Sequence, residues 1–239
     1  MDSEKQEKST FKLTAEPFRD IIKQNVGGAN MILYHGTHIQ GLEILKPFAT
    51  RGNAISKSVV CLTPNPHISL FYIWSRPYKW VAFDEDPNGR VVFTEQYDGM
   101  LFDFYNNISG SIYECDGSNP QIQQTHMKGV YTSEFPINIE KETVILNVYE
   151  EILRNEAKGN IIIRRYAQLS NEEKNSISQT LVRAIHMQKL LFASDKASKR
   201  EQTNFVRSHF PQEWEIASKM SQQEIDEMIK EWNASLQSK

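Results

Sequence analysis

The sequence has few of the features that mark disulfide-linked or membrane-spanning proteins. Its two cysteines, Cys61 and Cys115, have no metal-type spacing, and each lies in an apolar, strand-like run. This favours reduced, buried thiols, although a disulfide between them stays open. No apolar run approaches the ~20 residues needed to cross a bilayer, and the polar N-terminus lacks the apolar stretch of a signal peptide. We therefore expect a cytoplasmic protein with no membrane partner.

A strong charge of one sign is also lacking. The chain of 239 residues has 27 Lys and Arg against 30 Asp and Glu, a net charge of −3. This balance gives no electrostatic reason to expect nucleic-acid binding, although a local basic patch stays open. The histidines show no ligand spacing: His35 and His38 are three apart, but no cysteine or carboxylate completes a site, so no metal is expected.

The pattern along the chain indicates three regions. Residues 1–12 are expected to be disordered, residues 13–166 to form a strand-rich domain, and residues 167–239 to form a helical C-terminal region. Short runs rich in Val, Ile, Tyr and Phe predict strands at 31–34, 59–62, 81–83, 91–93, 111–115, 130–132, 143–149 and 161–166. Apolar spacing and two Ser-x-x-Glu capping boxes predict helices at 14–26, 39–45, 66–75, 148–157, 170–192 and from 221 onward.

His35 is the first candidate for chemistry. It follows an apolar strand and is followed at once by Gly36, which allows a ligand to approach the main chain closely. The same residues also fit a strand-terminal histidine satisfied by a neighbour, with the glycine as a turn. The aromatic run that includes Phe71, Tyr72 and Trp74 must send at least one ring to the core, and another ring can stack on a flat ligand.

Glu134 is the candidate carboxylate, at a point where a strand begins or resumes. Glu114 is a rival, but strand alternation makes it an outward-facing residue. Pro136 follows Glu134 closely, which indicates an edge or bulged strand. The stretch at 83–107, between the aromatic run and Glu134, is either an acceptor-recognition loop or a structural hairpin.

The order of these elements resembles the ADP-ribosyltransferase superfamily. The resemblance covers about residues 29–166 and is nearest to the branch that uses a His, a Tyr and a Glu, as in diphtheria toxin and the poly-ADP-ribose polymerases. It rests on short motifs: Leu-Tyr-His-Gly-Thr at 33–37, Gly-Leu-Glu-Ile-Leu-Lys-Pro at 41–47, Val-Cys-Leu-Thr at 60–63, Gly-Ser-Ile-Tyr at 110–113 and Ser-Glu-Phe at 133–135. It implies an α+β fold with a split two-sheet core that holds NAD in its cleft, here followed by a helical C-terminal tail.

The resemblance implies a role for each residue near the first motif. Gly36 would hydrogen-bond the nicotinamide carboxamide through its backbone. His35 would hydrogen-bond a ribose hydroxyl of NAD, and Thr37 would support the turn. Tyr72 would stack on nicotinamide, with Phe71 as the alternate.

The remaining roles concern the reaction. Thr63 would shape the site as a strand-end hydroxyl, and Arg51 would meet the diphosphate, because arginine suits bidentate phosphate contact. Glu134 would be the catalytic glutamate, stabilising an oxocarbenium-like state through the ribose 2′-hydroxyl. The implied activity is cleavage of the nicotinamide–ribose bond of NAD, without a metal. ADP-ribose would pass to a macromolecule, a protein rather than a nucleic acid, or to water.

Two other hypotheses stay open at the level of sequence. One is a non-catalytic interaction or NAD-sensing module on the same fold, with the helical tail docking a partner. The other is an unrelated α+β protein in which the motifs coincide by chance. Release of nicotinamide separates an enzyme from a binding module, and stabilisation by NAD separates a binding module from an unrelated protein.

Overall fold

A computed structural model describes residues 31–49, 58–78, 80, 83–192 and 196–237. The disordered segment expected at 1–12, the helix expected at 14–26 and the diphosphate contact expected at Arg51 lie outside the described residues.

The described residues form twelve strands and seven α-helices. The strands are β1 (Ile32–Thr37), β2 (Ile44–Leu45), β3 (Phe48–Ala49), β4 (Ser58–Leu62), β5 (Phe83–Glu85), β6 (Val91–Thr94), β7 (Gly110–Asp116), β8 (Gln123–Gln124), β9 (Tyr131–Ser133), β10 (Ile137–Asn138), β11 (Lys141–Ile145) and β12 (Ile161–Arg164). The helices are α1 (Pro66–Leu70), α2 (Met100–Tyr105), α3 (Val148–Ala157), α4 (Asn171–Met187), α5 (Ala197–His209), α6 (Pro211–Lys219) and α7 (Gln222–Gln237). The chain is thus a mixed α+β protein. None of the helices in the described ranges is long and apolar enough to cross a membrane.

Two small sheets touch at a single bridge. The first has the order β1-β7-β11 and the second the order β3-β4-β9-β8. Between β1 and β4 the bridged pair is Tyr34 and Thr63, whose backbones exchange hydrogen bonds of 2.7 and 3.0 Å. No other backbone pair joins these two strands among the described residues, so the pairing of β1 with β4 stops at the bridge. We call the region beside Gly36, where this pairing has stopped, the gap.

Two further strand groups and two apolar clusters complete the fold. β12 pairs in parallel with β6, which pairs with β5 in an antiparallel hairpin, and β10 pairs with β2. The larger cluster contains buried residues of α1, α2 and α3 and continues into α4, α5 and α6. The smaller cluster lies on the other face of the first sheet, where Leu33 and Tyr113 meet Leu62. The C-terminal helices therefore share their core with the strand-rich region.

The structure corrects several element boundaries. The helix expected at 39–45 is wrong: Gly41 has a positive φ of 68°, and Leu45 pairs with Ile137 as part of β2. The buried side chain of Leu45 shows that strand pairing there outweighs the local helical spacing. The helices expected at 66–75 and 170–192 are shorter, ending at Leu70 and Met187. The strand expected at 143–149 is β11, which ends at Ile145 before α3 begins.

Candidate functional site

His35 spans the gap where the pairing of β1 with β4 has stopped. Its Nδ1 lies 2.8 Å from the carbonyl oxygen of Cys61. Because a carbonyl can only accept, Nδ1 carries the hydrogen and donates it. Burial lowers the pKa of His35 below its usual 6.5, and the bond to Cys61 opposes this only in part. The imidazole is therefore neutral at pH 7, and its Nε2 is a hydrogen-bond acceptor.

The lowered pKa of His35 predicts a pH dependence of stability. The folded state takes up the His35 proton less readily than the unfolded chain, so stability falls as the pH drops below 6.5 towards the folded-state pKa. Each unit of pKa difference corresponds to about 1.4 kcal/mol. We expect urea unfolding between pH 5 and 7 to show a steeper loss for the wild type than for His35→Gln, whose amide still donates to Cys61. Parallel pH profiles for the two proteins would contradict this.

Gly36 directs its backbone into the same gap. Tyr34 exchanges both backbone hydrogen bonds with Thr63, so its N–H and C=O point towards β4. Successive residues of a strand direct their N–H and C=O groups to opposite sides. The groups of Gly36 therefore point towards β4, like those of Tyr34, while the groups of His35 and Thr37 point towards β7. Gly36 thus offers one donor and one acceptor side by side, where the pairing with β4 has stopped.

Ser69 of α1 lies directly over Gly36. A Cβ on Gly36 would stand 1.9 Å from the backbone oxygen of Ser69, so only glycine permits this approach. Ser69 is fully buried, and its Oγ has no hydrogen-bond partner within the part of the chain that the structure describes. An unpaired buried hydroxyl costs about 1–3 kcal/mol.

The residues before α1 fix its start. Thr63, at the bridge, is buried, and its Oγ1 accepts the N–H of Asn65 at 3.3 Å. Asn65 is the N-cap and accepts the N–H of His67, and Pro66 occupies the first turn. Thr63 therefore helps to position the start of α1, which carries Ser69. On the other side of the gap, Thr37 Oγ1 accepts the N–H of Ile39 at 3.3 Å and closes the turn after β1.

Tyr72 is partly exposed, whereas Phe71 lies in the core. Phe71 is 2% exposed and stacks on Phe93 with ring centroids 5.5 Å apart. Tyr72 is 38% exposed, and its backbone N–H donates to the carbonyl of Ser69 at 3.1 Å. Burial of the hydroxyl raises the pKa of Tyr72, with a smaller contribution from the thiol of Cys61. The hydroxyl of Tyr72 is therefore protonated at pH 7.

Glu134 lies at the bend that follows β9. Cys61 pairs with Thr132 across β4 and β9, and cross-strand partners share a face of the sheet. β9 ends at Ser133, whose Oγ accepts the N–H of Phe135 at 3.0 Å, so the chain bends at Glu134. Glu134 itself is exposed. The carboxylate therefore lies on the surface, two residues beyond the partner of Cys61.

Other candidates are used elsewhere in the fold. Glu114 pairs with Lys141 across β7 and β11, with 2.7 Å between Oε1 and Nζ. The stretch at 83–107 contains β5, β6 and α2, so it is a structural hairpin followed by a helix. Among the described residues, no group of three His, Cys, Asp or Glu side chains is placed to hold a metal ion.

Cys61 and Ser69 are site residues that the motifs did not reveal. Cys61 contributes its carbonyl to His35, and a backbone group leaves no mark on residue type. Ser69 lies three residues before Tyr72, a spacing that puts two residues on one side of a helical turn. This spacing was the one sequence signal for Ser69, but it indicates a site residue only when the contact between α1 and Gly36 is known.

No family model, curated protein or solved structure matches the chain. Its function must therefore be inferred from the geometry of its own residues.

Proposed function

We propose that the chain is an ADP-ribosyltransferase-like enzyme that cleaves the nicotinamide–ribose bond of NAD. The observation that carries the proposal is the arrangement at the end of β1, where Ser69 of α1 lies against Gly36 and His35 donates to the carbonyl of Cys61. Two small sheets joined by one bridge also agree with the split core that the family resemblance implies.

The polar groups in the gap match a primary carboxamide on a flat ring. A carboxamide has a donating NH₂ and an accepting oxygen on adjacent atoms, which complement the C=O and N–H of Gly36. Ser69 Oγ provides a further donor and would gain the partner that it lacks in the protein alone. The ring of Tyr72 provides an aromatic surface, and offset stacking on a flat ring is worth about 0.5–1.5 kcal/mol beyond area burial. Nicotinamide has both features.

His35 fits a sugar hydroxyl next to that ring. With Nδ1 committed to Cys61, the neutral imidazole accepts at Nε2, and no hydrogen bond to Nε2 forms within the described part of the chain. A ribose hydroxyl donates to such an acceptor. His35 and Gly36 are consecutive, so a ligand with a carboxamide ring attached to a ribose spans both.

The proposed reaction breaks one bond and forms another at the ribose C1′. The C1′–N bond electrons move to the nicotinamide ring, which leaves as a neutral molecule. The positive charge left on the ribose is stabilised by the Glu134 carboxylate, hydrogen-bonded to the 2′-hydroxyl. A nucleophilic oxygen or nitrogen of a protein, or water, then adds to C1′ and releases its proton to solvent. The proposed partners are NAD and a protein acceptor.

Ser69→Ala tests the binding half of the proposal. We expect it to weaken nicotinamide binding roughly 5- to 10-fold, since it removes about 1 kcal/mol of hydrogen bonding. The melting temperature should stay level or rise, because the lost hydroxyl has no partner in the described protein. Ser178→Ala is a matched control: it removes a hydroxyl that donates to Glu213 at 2.8 Å, so it should lower the melting temperature and leave nicotinamide binding unchanged.

Release of nicotinamide from NAD, followed by chromatography, tests the catalytic half. The purified wild type should release nicotinamide and should be stabilised by NAD in thermal unfolding. Stabilisation by NAD without release of nicotinamide would indicate a non-catalytic NAD-binding module instead of an enzyme. Neither release nor stabilisation would overturn the proposal.

A further inference from the structure

The β5–β6 hairpin is held rigidly at its turn. Asp86 Oδ1 accepts the backbone N–H groups of Asn88 and Arg90, each at 2.9 Å. Asp86 Oδ2 accepts Arg90 Nε at 2.8 Å. Gly89 takes the positive φ of 79° that this turn requires. Since β6 also pairs in parallel with β12, the hairpin is fixed to the body of the protein.

Asn65 ties this hairpin to α1 by using both ends of its side chain. Its Oδ1 accepts the N–H of His67 at 3.0 Å, which caps the helix. Its Nδ2 donates to Glu85 Oε1 at 2.8 Å and to the Gly89 carbonyl at 2.9 Å. The helix that carries Ser69 is therefore anchored at its first turn to the hairpin.

Phe83 of the same hairpin contacts the ring of Tyr72. The two rings are perpendicular, with centroids 5.7 Å apart. Phe83 also packs on Phe71, with centroids 5.2 Å apart. Tyr72 lies two residues beyond the end of α1 at Leu70. The edge-to-face contact with Phe83 restricts the plane of the Tyr72 ring.

From these contacts we infer that Phe83 and Asn65 are positioning residues for the nicotinamide-stacking ring, with the β5–β6 hairpin as their support. The inference rests on the proposed function, because it assigns the hairpin to the same site. Neither residue contacts the ligand: Phe83 acts through the ring of Tyr72, and Asn65 acts through α1. Loss of the Phe83 contact makes the Tyr72 ring less ordered, and ordering it when nicotinamide binds then costs more, so binding weakens rather than chemistry.

Phe83→Leu should raise the nicotinamide dissociation constant and the KM for NAD by roughly 3- to 10-fold, with kcat within about 2-fold of the wild type. Phe83→Tyr keeps the ring and should restore wild-type binding. Phe102→Leu is the control for loss of an aromatic ring, because Phe102 is half exposed and packs on Tyr149; it should leave nicotinamide binding unchanged.

Asn65→Asp separates the two roles of Asn65, the N-cap of α1 and the hydrogen bonds to the β5–β6 hairpin. Aspartate still accepts the N–H of His67 but cannot donate, and its charge meets Glu85. We expect nicotinamide binding to weaken as in Phe83→Leu. Adding Glu85→Gln supplies a donor from the hairpin side and should recover most of the loss. If the double variant binds nicotinamide as weakly as Asn65→Asp alone, the hydrogen bond between Asn65 and the hairpin does not support the site.

The orientation of Tyr72 is measured separately from binding, through its aromatic NMR resonances, assigned by comparison with Tyr72→Phe. Phe83→Leu should move these resonances towards averaged values. If the wild type binds nicotinamide and neither the resonances nor binding respond to Phe83→Leu, the positioning role is overturned. If the resonances respond but the wild type binds no nicotinamide, the positioning of Tyr72 stands and the proposed function fails.

Discussion

Replacing Glu134 with glutamine is expected to lower the rate of nicotinamide release from NAD by roughly 100- to 1,000-fold. Glutamine has nearly the same size as glutamate, but it cannot carry the carboxylate charge that would oppose the positive charge on the ribose. That charge is present in the transition state and nearly absent in the bound substrate, so the loss should appear in kcat. NAD binding should change little, because the proposal assigns the nicotinamide contacts to Gly36, Ser69 and Tyr72.

The measurement is single-turnover release of nicotinamide with enzyme in excess over NAD, alongside NAD titration by thermal shift. Glu140→Gln is the matched control, since Glu140 is also an exposed glutamate, six residues further along and next to β11. It should release nicotinamide at the wild-type rate. A Glu134→Gln variant within about 3-fold of the wild type would show that the Glu134 carboxylate takes no part in the reaction.

Elements marked by short-range signals were predictable from the sequence. The helix expected at 148–157 is α3, and its N-cap Asn147 accepts the N–H of Tyr149. The capping box at the start of α4 is present, with the Ser170 and Glu173 side chains each bonded to the backbone of the other. Such signals lie within one helical turn, so they act before any tertiary contact forms.

Features set by distant contacts were not predictable. The segment at 39–45 has helical spacing, but Leu45 pairs with Ile137, more than 90 positions away. The choice between Phe71 and Tyr72 depended on where α1 ends and on which ring the hairpin covers. The gap itself follows from the end of the pairing of β1 with β4 at one bridge. The spacing and type of residues in the sequence do not predict where two strands stop pairing or where a backbone N–H points.

The boundary expected at residue 166 illustrates the same limit. The change from strand to helix patterning is real, but the main apolar cluster crosses it. Arg76 lies over the rings of Phe104 and Phe205, and it pairs with Asp103, so it links the strand-rich region to α5. Local pattern marks the change of secondary structure, whereas the packing of side chains joins the two regions.

The second large effect is expected for Gly36→Ala, which should destabilise the fold by about 3 kcal/mol or more, the upper end of what overpacking costs. The new methyl would stand 1.9 Å from the backbone oxygen of Ser69 and 2.8 Å from its carbonyl carbon. Backbone atoms cannot rotate away as a side chain can, so α1 must move off β1. Since Ser69 and Tyr72 belong to this segment, nicotinamide binding should be lost together with stability.

Gly41→Ala separates steric overlap from backbone strain. Gly41 has a φ of 68°, but its added Cβ would meet nothing within 4 Å, so we expect a cost of about 1–2 kcal/mol from the left-handed conformation alone. Equilibrium unfolding in urea measures the stability of both variants. Nicotinamide binding is then titrated without urea at pH 7. If Gly36→Ala were no less stable than Gly41→Ala, α1 would not lie directly on β1, and the close approach that places Ser69 beside the gap would be wrong. If Gly36→Ala is the less stable variant and also fails to bind nicotinamide, the close approach of α1 to β1 supports both the fold and the site.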